Sequence, residues 1–271
     1  MTKSRQAYPT DLHDTEWKVI APYLPGPAAT GRPREHGWRE ILDGVFYIVR
    51  SGCAWRLLPH DLPPWKTVYT YFRRWRLDGT WERLNAALRE LVRWKAQRFP
   101  QPSAAIVDSQ SVKTAEGGAE RGYDAGKKIT GRKRHLVVDT LGLVWLVVVT
   151  GGQVQDRDGA RLLLQALWER LRQSPTARWC RLKLIWADGG YRGELIDWVK
   201  RTFGWTLEIV EKLGEQVGFQ VLPKRWIVER TFAWLNRQRR LGKDYERLPQ
   251  TSEALVYVAM IRLMLGRLAH A

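Results

Sequence analysis

Three acidic side chains stand where phosphodiester chemistry could be carried out. Asp108 follows the apolar run Ala104-Ala105-Ile106-Val107, and Asp188 follows Leu184-Ile185-Trp186-Ala187. Short apolar runs of this kind fit buried strands, so each strand runs straight into a carboxylate at its C-terminal edge. In open α/β sheets that edge is where ligands bind. Two carboxylates brought together there repel each other, and a divalent cation removes the repulsion. Mg2+ accepts hard oxygen ligands, keeps several waters and needs only one or two carboxylates plus substrate phosphate. Glu229 is the third candidate. It is the only acid between Arg225 and Arg240, a stretch that also holds Arg230, Arg237 and Arg239. On a helix, Arg225, Glu229 and Asn236 share one face, with Ile227, Thr231 and Trp234 on the inner one. Each acid also has an ordinary alternative. Asp108 and Asp188 could be caps or turn formers, and Glu229 could pair with Arg225 or Arg230 on a solvated face.

The bulk composition favours the chemical reading. Lys and Arg number 45 against 28 Asp and Glu, a formal charge of +17 on 271 residues. Such an excess repels itself in a compact fold unless a polyanion is present, and nucleic acid binds by releasing counterions. A two-carboxylate glycosidase would leave this charge unexplained. Hydrophobic residues make up 44% of the chain, enough to predict a packed core rather than disorder. Cys53 and Cys180 form neither a disulfide framework nor a zinc motif. The apolar runs at 141–149 and 254–261 are too short to span a bilayer, and residues 1–11 lack the apolar core of a signal peptide. A soluble, cytoplasmic protein without a membrane partner is expected.

The elements that must position these acids fall into two parts. Residues 1–99 read as helical, with helices over 14–24, 38–50, 65–76 and 80–99 and a short element over 54–58. Helix, turn, then a basic aromatic helix is a helix-turn-helix layout. Residues 100–271 read as mixed α/β. Strands are expected at 104–107, 182–187 and 206–210, a hairpin at 135–139 and 143–150, and helices at 156–172, 194–203 and 225–240. Residues 117–131 read as a Gly- and Lys-rich loop. Asp139 reads as a turn former, Asp156 and Asp158 as helix caps, and His135 as structural. Trp65, Tyr69, Tyr71 and Trp75 fit packing inside a helical head better than stacking on DNA.

Three segments carry a resemblance. Ile106-Val107-Asp108-Ser109-Gln110-Ser111-Val112-Lys113, then Asp188-Gly189-Gly190-Tyr191-Arg192-Gly193, then Trp226-Ile227-Val228-Glu229-Arg230-Thr231-Phe232-Ala233-Trp234-Leu235-Asn236 resemble the catalytic core of DDE transposases of the insertion-sequence-five group. Trp55-Arg56-Leu57-Leu58-Pro59 and Trp65-Lys66-Thr67-Val68-Tyr69 resemble that family's DNA-binding head. The resemblance implies an RNase H-like mixed-sheet catalytic domain behind an all-α, helix-turn-helix-type domain. It implies Asp108, Asp188 and Glu229 as catalytic acids that hold two Mg2+ ions, with Mn2+ able to substitute. It also implies a bacterial enzyme that binds the terminal inverted repeats of its element in double-stranded DNA, cleaves them and joins them to target DNA. Bringing two ends together fits a dimer on DNA and leaves the state of the free protein open. A related group carries Tyr, Arg, Glu and Lys on the last helix. Arg225 and Glu229 match that spacing, whereas Leu222 and Asn236 stand where Tyr and Lys would be. A catalytically silent DNA-binding regulator derived from such an enzyme is the alternative, and the presence of all three acids speaks against it.

Phosphate contacts are expected from basic residues in four places. These are Arg32 and Arg34 in a loop; Lys66, Arg73, Arg74 and Arg76 on the third helix; Lys113, Lys127, Lys128, Arg132 and Lys133 after the first strand; and Arg225, Arg237 and Arg240 around the last acid.

Overall fold

A computed structural model describes residues 5–26, 34–115, 118–173, 180–210 and 224–269. Arg32 and Leu222 lie outside the described residues. Four helices come first: α1 (Asp14–Ile20), α2 (Trp38–Ser51), α3 (Trp65–Leu77) and α4 (Thr80–Lys95). The cap of α1 is His13 rather than Asp14, because the Glu16 carboxylate reaches back to accept the His13 N–H at 3.0 Å. Gly52 ends α2 in the left-handed region at φ 76°. A Cβ there would meet Arg239 at 2.9 Å, so the position needs glycine for space as well as conformation. The link from α2 to α3 contains a 3₁₀ turn, Trp55–Leu57, and is longer than the three or four residues of a helix-turn-helix turn.

Strands β1 (Ala104–Lys113), β2 (Gly122–Asp124), β3 (Ile129–Asp139) and β4 (Val144–Gly151) follow. Helix α5 (Asp156–Gln173), β5 (Leu184–Ala187), α6 (Glu194–Phe203) and β6 (Thr206–Ile209) come next, then α7 (Trp226–Asn236) and α8 (Pro249–Ala269). The sheet runs β4-β3-β1-β5-β6, with the short β2 paired to the start of β3. β1 and β4 lie antiparallel to β3, whereas β5 lies parallel to both β1 and β6. This curled mixed sheet is consistent with an RNase H-like domain.

Several elements differ from the sequence reading. β1 does not stop at Asp108, because Ser109 to Lys113 keep pairing with His135 to Gly131 of β3. The expected loop at 117–131 contains β2 and the start of β3. Helix α7 ends at Asn236, and the chain then turns through a 3₁₀ segment, Arg239–Leu241. Helix α8, the longest of the described helices, shows in sequence only as an apolar run. Its residues from Ala254 to Ile261 are all buried, and a helix apolar on every side gives no periodic signal.

α8 is the centre of the larger core. Ile106, Leu136, Val138, Val147 and Trp186 on one sheet face join residues of α8, α7 and all four N-terminal helices in one apolar cluster. Ala105, Val107, Val137, Leu146, Ile185 and Leu207 on the opposite face pack with α5 and α6. Trp75 is 1% exposed and sits against Trp38 and Trp81, so this part of the aromatic load is core.

A buried ion pair fastens the head to the hairpin. Arg93 of α4 donates to Asp139 at 2.9 Å, and Asp139 also accepts the N–H groups of Leu141 and Leu143 at the turn. Both side chains are almost fully buried. Replacing Asp139 by Ala strips a buried guanidinium of its counter-charge and leaves two backbone donors unpaired. We predict a loss of about 3–5 kcal/mol, read as a fall in the urea midpoint.

Candidate active site

Backbone register places the first two acids. In the parallel pair, Ala105 faces Ile185 and Ile106 faces Trp186. Continuing in step, Asp108 and Asp188 arrive at neighbouring positions, one in the middle of β1 and the other just beyond the end of β5. Asp188 caps the 3₁₀ turn Gly189–Tyr191 and accepts the Gly190 N–H at 2.8 Å. Asp108 accepts the Ser109 N–H at 2.7 Å. Burial pushes the Asp108 carboxyl up to about 6; the Ser109 N–H restrains the rise and the charge of Asp188 adds to it. Arg225 and Lys127 pull it down. Asp188 stands at a strand end as the sequence reading has it, whereas Asp108 does not, because β1 continues to Lys113.

Glu229 comes from α7, which packs along β1. Gln110, two residues past Asp108 and on the same strand face, donates to Asn236 of α7 at 3.4 Å. Arg225 connects the third acid to the second: its Nη2 lies 3.5 Å from Asp188 and 3.4 Å from Glu229. Among the described residues, no group of three or more His, Cys, Asp or Glu side chains is gathered closely enough to hold a metal ion. Asp108 and Asp188 alone still fit a hard divalent cation. They are paired oxygen donors whose mutual repulsion an ion would relieve, and Mg2+ completes its shell with water and phosphate oxygens.

The other face of β1 carries a network the sequence reading did not find. Ser109 Oγ donates to Asp156 at 2.7 Å, and Ser111 Oγ donates to Asp124 at 2.5 Å. Lys133 Nζ stands between the two carboxylates, 3.1 Å from Asp156 and 3.4 Å from Asp124. Asp156 does open α5, but its side chain is spent on β1 and β3. Tyr191 is buried close to Asp108, Asp156 and Asp188, and burial pushes its hydroxyl well above the ordinary tyrosine range. His135 is buried, accepts or donates to Thr150 at 3.0 Å, and is driven down to about 4 by desolvation. A structural role fits it. A cavity of about 380 Å³ beside this network is lined by Tyr123, Lys133, Gln153, Arg157 and Gly190. The unbroken polar run Asp108-Ser109-Gln110-Ser111 hides this network in the sequence.

The expected phosphate contacts divide by exposure. Arg34, Lys66, Arg73, Arg74, Lys113, Lys127, Lys128 and Arg237 are exposed, and Arg76 and Arg225 partly so. Arg34 stacks on Trp38 at 3.7 Å. Arg132, Lys133 and Arg240 are buried and do not serve as surface contacts. β3 is covered on both faces, so its cations find partners inside. Arg132 pairs with Asp244 at 3.3 Å and donates to the carbonyls of Glu246 and Arg247. Arg240 pairs with Glu246 at 2.7 Å.

A mixed sheet that brings two acids together at one edge, in a strongly basic chain, defines a protein built for nucleic-acid transactions. The chain belongs to the DDE insertion-sequence transposases of the IS4/5 type: residues 99–264 match the transposase DDE domain. Residues 12–85 match the family described as "Putative transposase of IS4/5 family". Among curated proteins, the chain is 30% identical over 118 residues to the "Insertion element IS402 uncharacterized 16.2 kDa protein" of Burkholderia cepacia, covering 41% of this chain and 78% of that one. It is 34% identical over 119 residues to the "Putative transposase for insertion sequence element IS402" of the same organism. That match covers 43% of this chain and 54% of the relative, so the chain spans about half the relative's length. An "Uncharacterized protein y4sN" of Sinorhizobium fredii is 31% identical over 77 residues, 28% of this chain and 62% of that protein. No solved structure matches the chain.

The raised Asp108 carboxyl predicts a stability effect. Its folded pKa of about 6 lies above the ordinary 3.8. The neutral acid is thus favoured on folding, and that stability is present below pH 3.8 and lost as pH rises through about 6. Asp108→Asn removes the loss. We expect the variant to be more stable than the wild type by about 1–3 kcal/mol at pH 7, with the gain disappearing near pH 3.8. Urea unfolding at the two pH values measures it.

Proposed function

We propose that this transposase binds the ends of its element, cleaves the DNA and transfers the strands to target DNA, using Asp108, Asp188 and Glu229. The observation that carries the proposal is the β1–β5 register, which sets two acids side by side within a chain of charge +17. Asp108 and Asp188 would hold Mg2+, with Glu229 joining them and Mn2+ able to substitute. Divalent ions at such a site activate an attacking oxygen and stabilise a leaving one. The same site serves hydrolysis and transesterification, since only the attacking oxygen changes from water to a DNA 3′-hydroxyl. Around it, Lys127, Lys113 and Arg237 offer exposed positive charge to the flanking phosphates.

The division of labour proposed is a DNA-binding part over 1–99 and a catalytic RNase H-like part over 100–271. α3 is the helix we assign to DNA. Val68, Phe72 and Trp75 hold it to the core, while Lys66, Arg73 and Arg74 face outward. Pairing of two DNA ends favours a dimer on DNA. The regulator reading keeps one observation in its favour, the engagement of Asp188 and Glu229 by Arg225.

Nicking of DNA that carries the element's own ends decides between the two. Asp108→Ala, Asp188→Ala and Glu229→Ala are each expected to lower metal-dependent cleavage by about a hundredfold or more with DNA binding retained. Full cleavage by any of the three would remove that residue from the site. Arg73→Gln and Arg74→Gln should each weaken binding across all sequences and reduce the slope of log affinity against log salt by about 1, measured by fluorescence anisotropy.

A further inference from the structure

A single guanidinium nitrogen lies between two of the three acids. Arg225 Nη2 is 3.5 Å from Asp188 Oδ2 and 3.4 Å from Glu229 Oε1. Neither contact is tight, since charge-assisted N–H···O bonds close to about 2.7–2.9 Å. The Nε of the same group is buried and has no hydrogen-bond partner among the described residues. The helix adds little: with Arg four residues before Glu, the pair has the less favourable orientation against the helix dipole. This seat is therefore Coulombic and incompletely satisfied. It nonetheless neutralises the negative potential that would draw in a divalent cation.

We infer that Arg225 is a displaceable internal cation: in the DNA-free protein it bridges Asp188 and Glu229, and a DNA phosphate draws it away and opens the carboxylates to the divalent ion. The inference rests on the reading of these acids as metal-holding. A phosphate offers the guanidinium fork two parallel hydrogen bonds, which its two long single contacts do not. Once the guanidinium leaves, the carboxylates face each other uncompensated, and their affinity for a divalent ion rises. Linkage makes the effect reciprocal, so DNA and metal each tighten the binding of the other.

Mn2+ titration of the full chain, followed by electron paramagnetic resonance, tests this without any turnover. Arg225→Gln should bind Mn2+ on the order of tenfold more tightly than the wild type in the absence of DNA. A short random-sequence duplex, with its own Mn2+ uptake subtracted, should tighten the wild type by a similar factor and the variant by clearly less. Equal or weaker Mn2+ binding by a folded Arg225→Gln overturns the inference. Should that variant not fold, the wild-type arm decides alone, and a duplex that fails to tighten Mn2+ binding overturns it. Asp188→Asn separates the two levels. Loss of Mn2+ binding there keeps the metal reading whatever Arg225 does, whereas unchanged binding removes the metal reading and the inference together.

Discussion

Parallel pairing of β1 with β5 forces two like charges onto adjacent strand positions, and the surrounding structure answers that repulsion. Three backbone contacts in step fix the placement. The Ser109 and Gly190 N–H groups each stabilise one carboxylate. Arg225 and Lys127 lower the Asp108 carboxyl against the burial that raises it. Helix α7 carries the third acid, and Arg225 at its N-cap is the cation that engages it.

Strain of this kind needs a rigid base, and buried polar networks supply it. On the α5 side, Ser109, Ser111, Asp124, Lys133 and Asp156 tie β1 to β3 and to the start of α5. Beyond the sheet's end, Arg132 and Arg240 clamp the segment around Asp244 and Glu246. Asp244 in turn accepts from Ser252 in α8 at 2.7 Å. Buried cations are costly unless paired, and pairing them with distant segments converts that cost into a fixed arrangement of strands and helices.

What sequence reveals here follows periodicity and chemical type. Apolar runs ending in Asp108 and Asp188 mark two strands and two acids, and the lone acid of a basic stretch marks Glu229. Alternation could not say that β1 continues past Asp108, because Asp108 to Ser111 are all polar and the partner stretch Arg132-Lys133-Arg134 carries charge on both faces. The same charges suggested DNA contacts at Arg132 and Lys133, whereas Asp244, far along the chain, pairs with the first and Asp124 and Asp156 pair with the second. Helix α8 escaped for the opposite reason: it is apolar all round and shows no face. The Arg225 bridge depends on side-chain distances that spacing alone does not give.

α8 lies after every other described element in the chain, yet the N-terminal helices and one sheet face share a core built on it. Neither completes that core until this stretch is synthesised. Order of synthesis thereby becomes a form of quality control. A product that stops before Pro249 lacks the helix around which both parts complete their shared core, so the two halves of the chain become linked through its last-made segment.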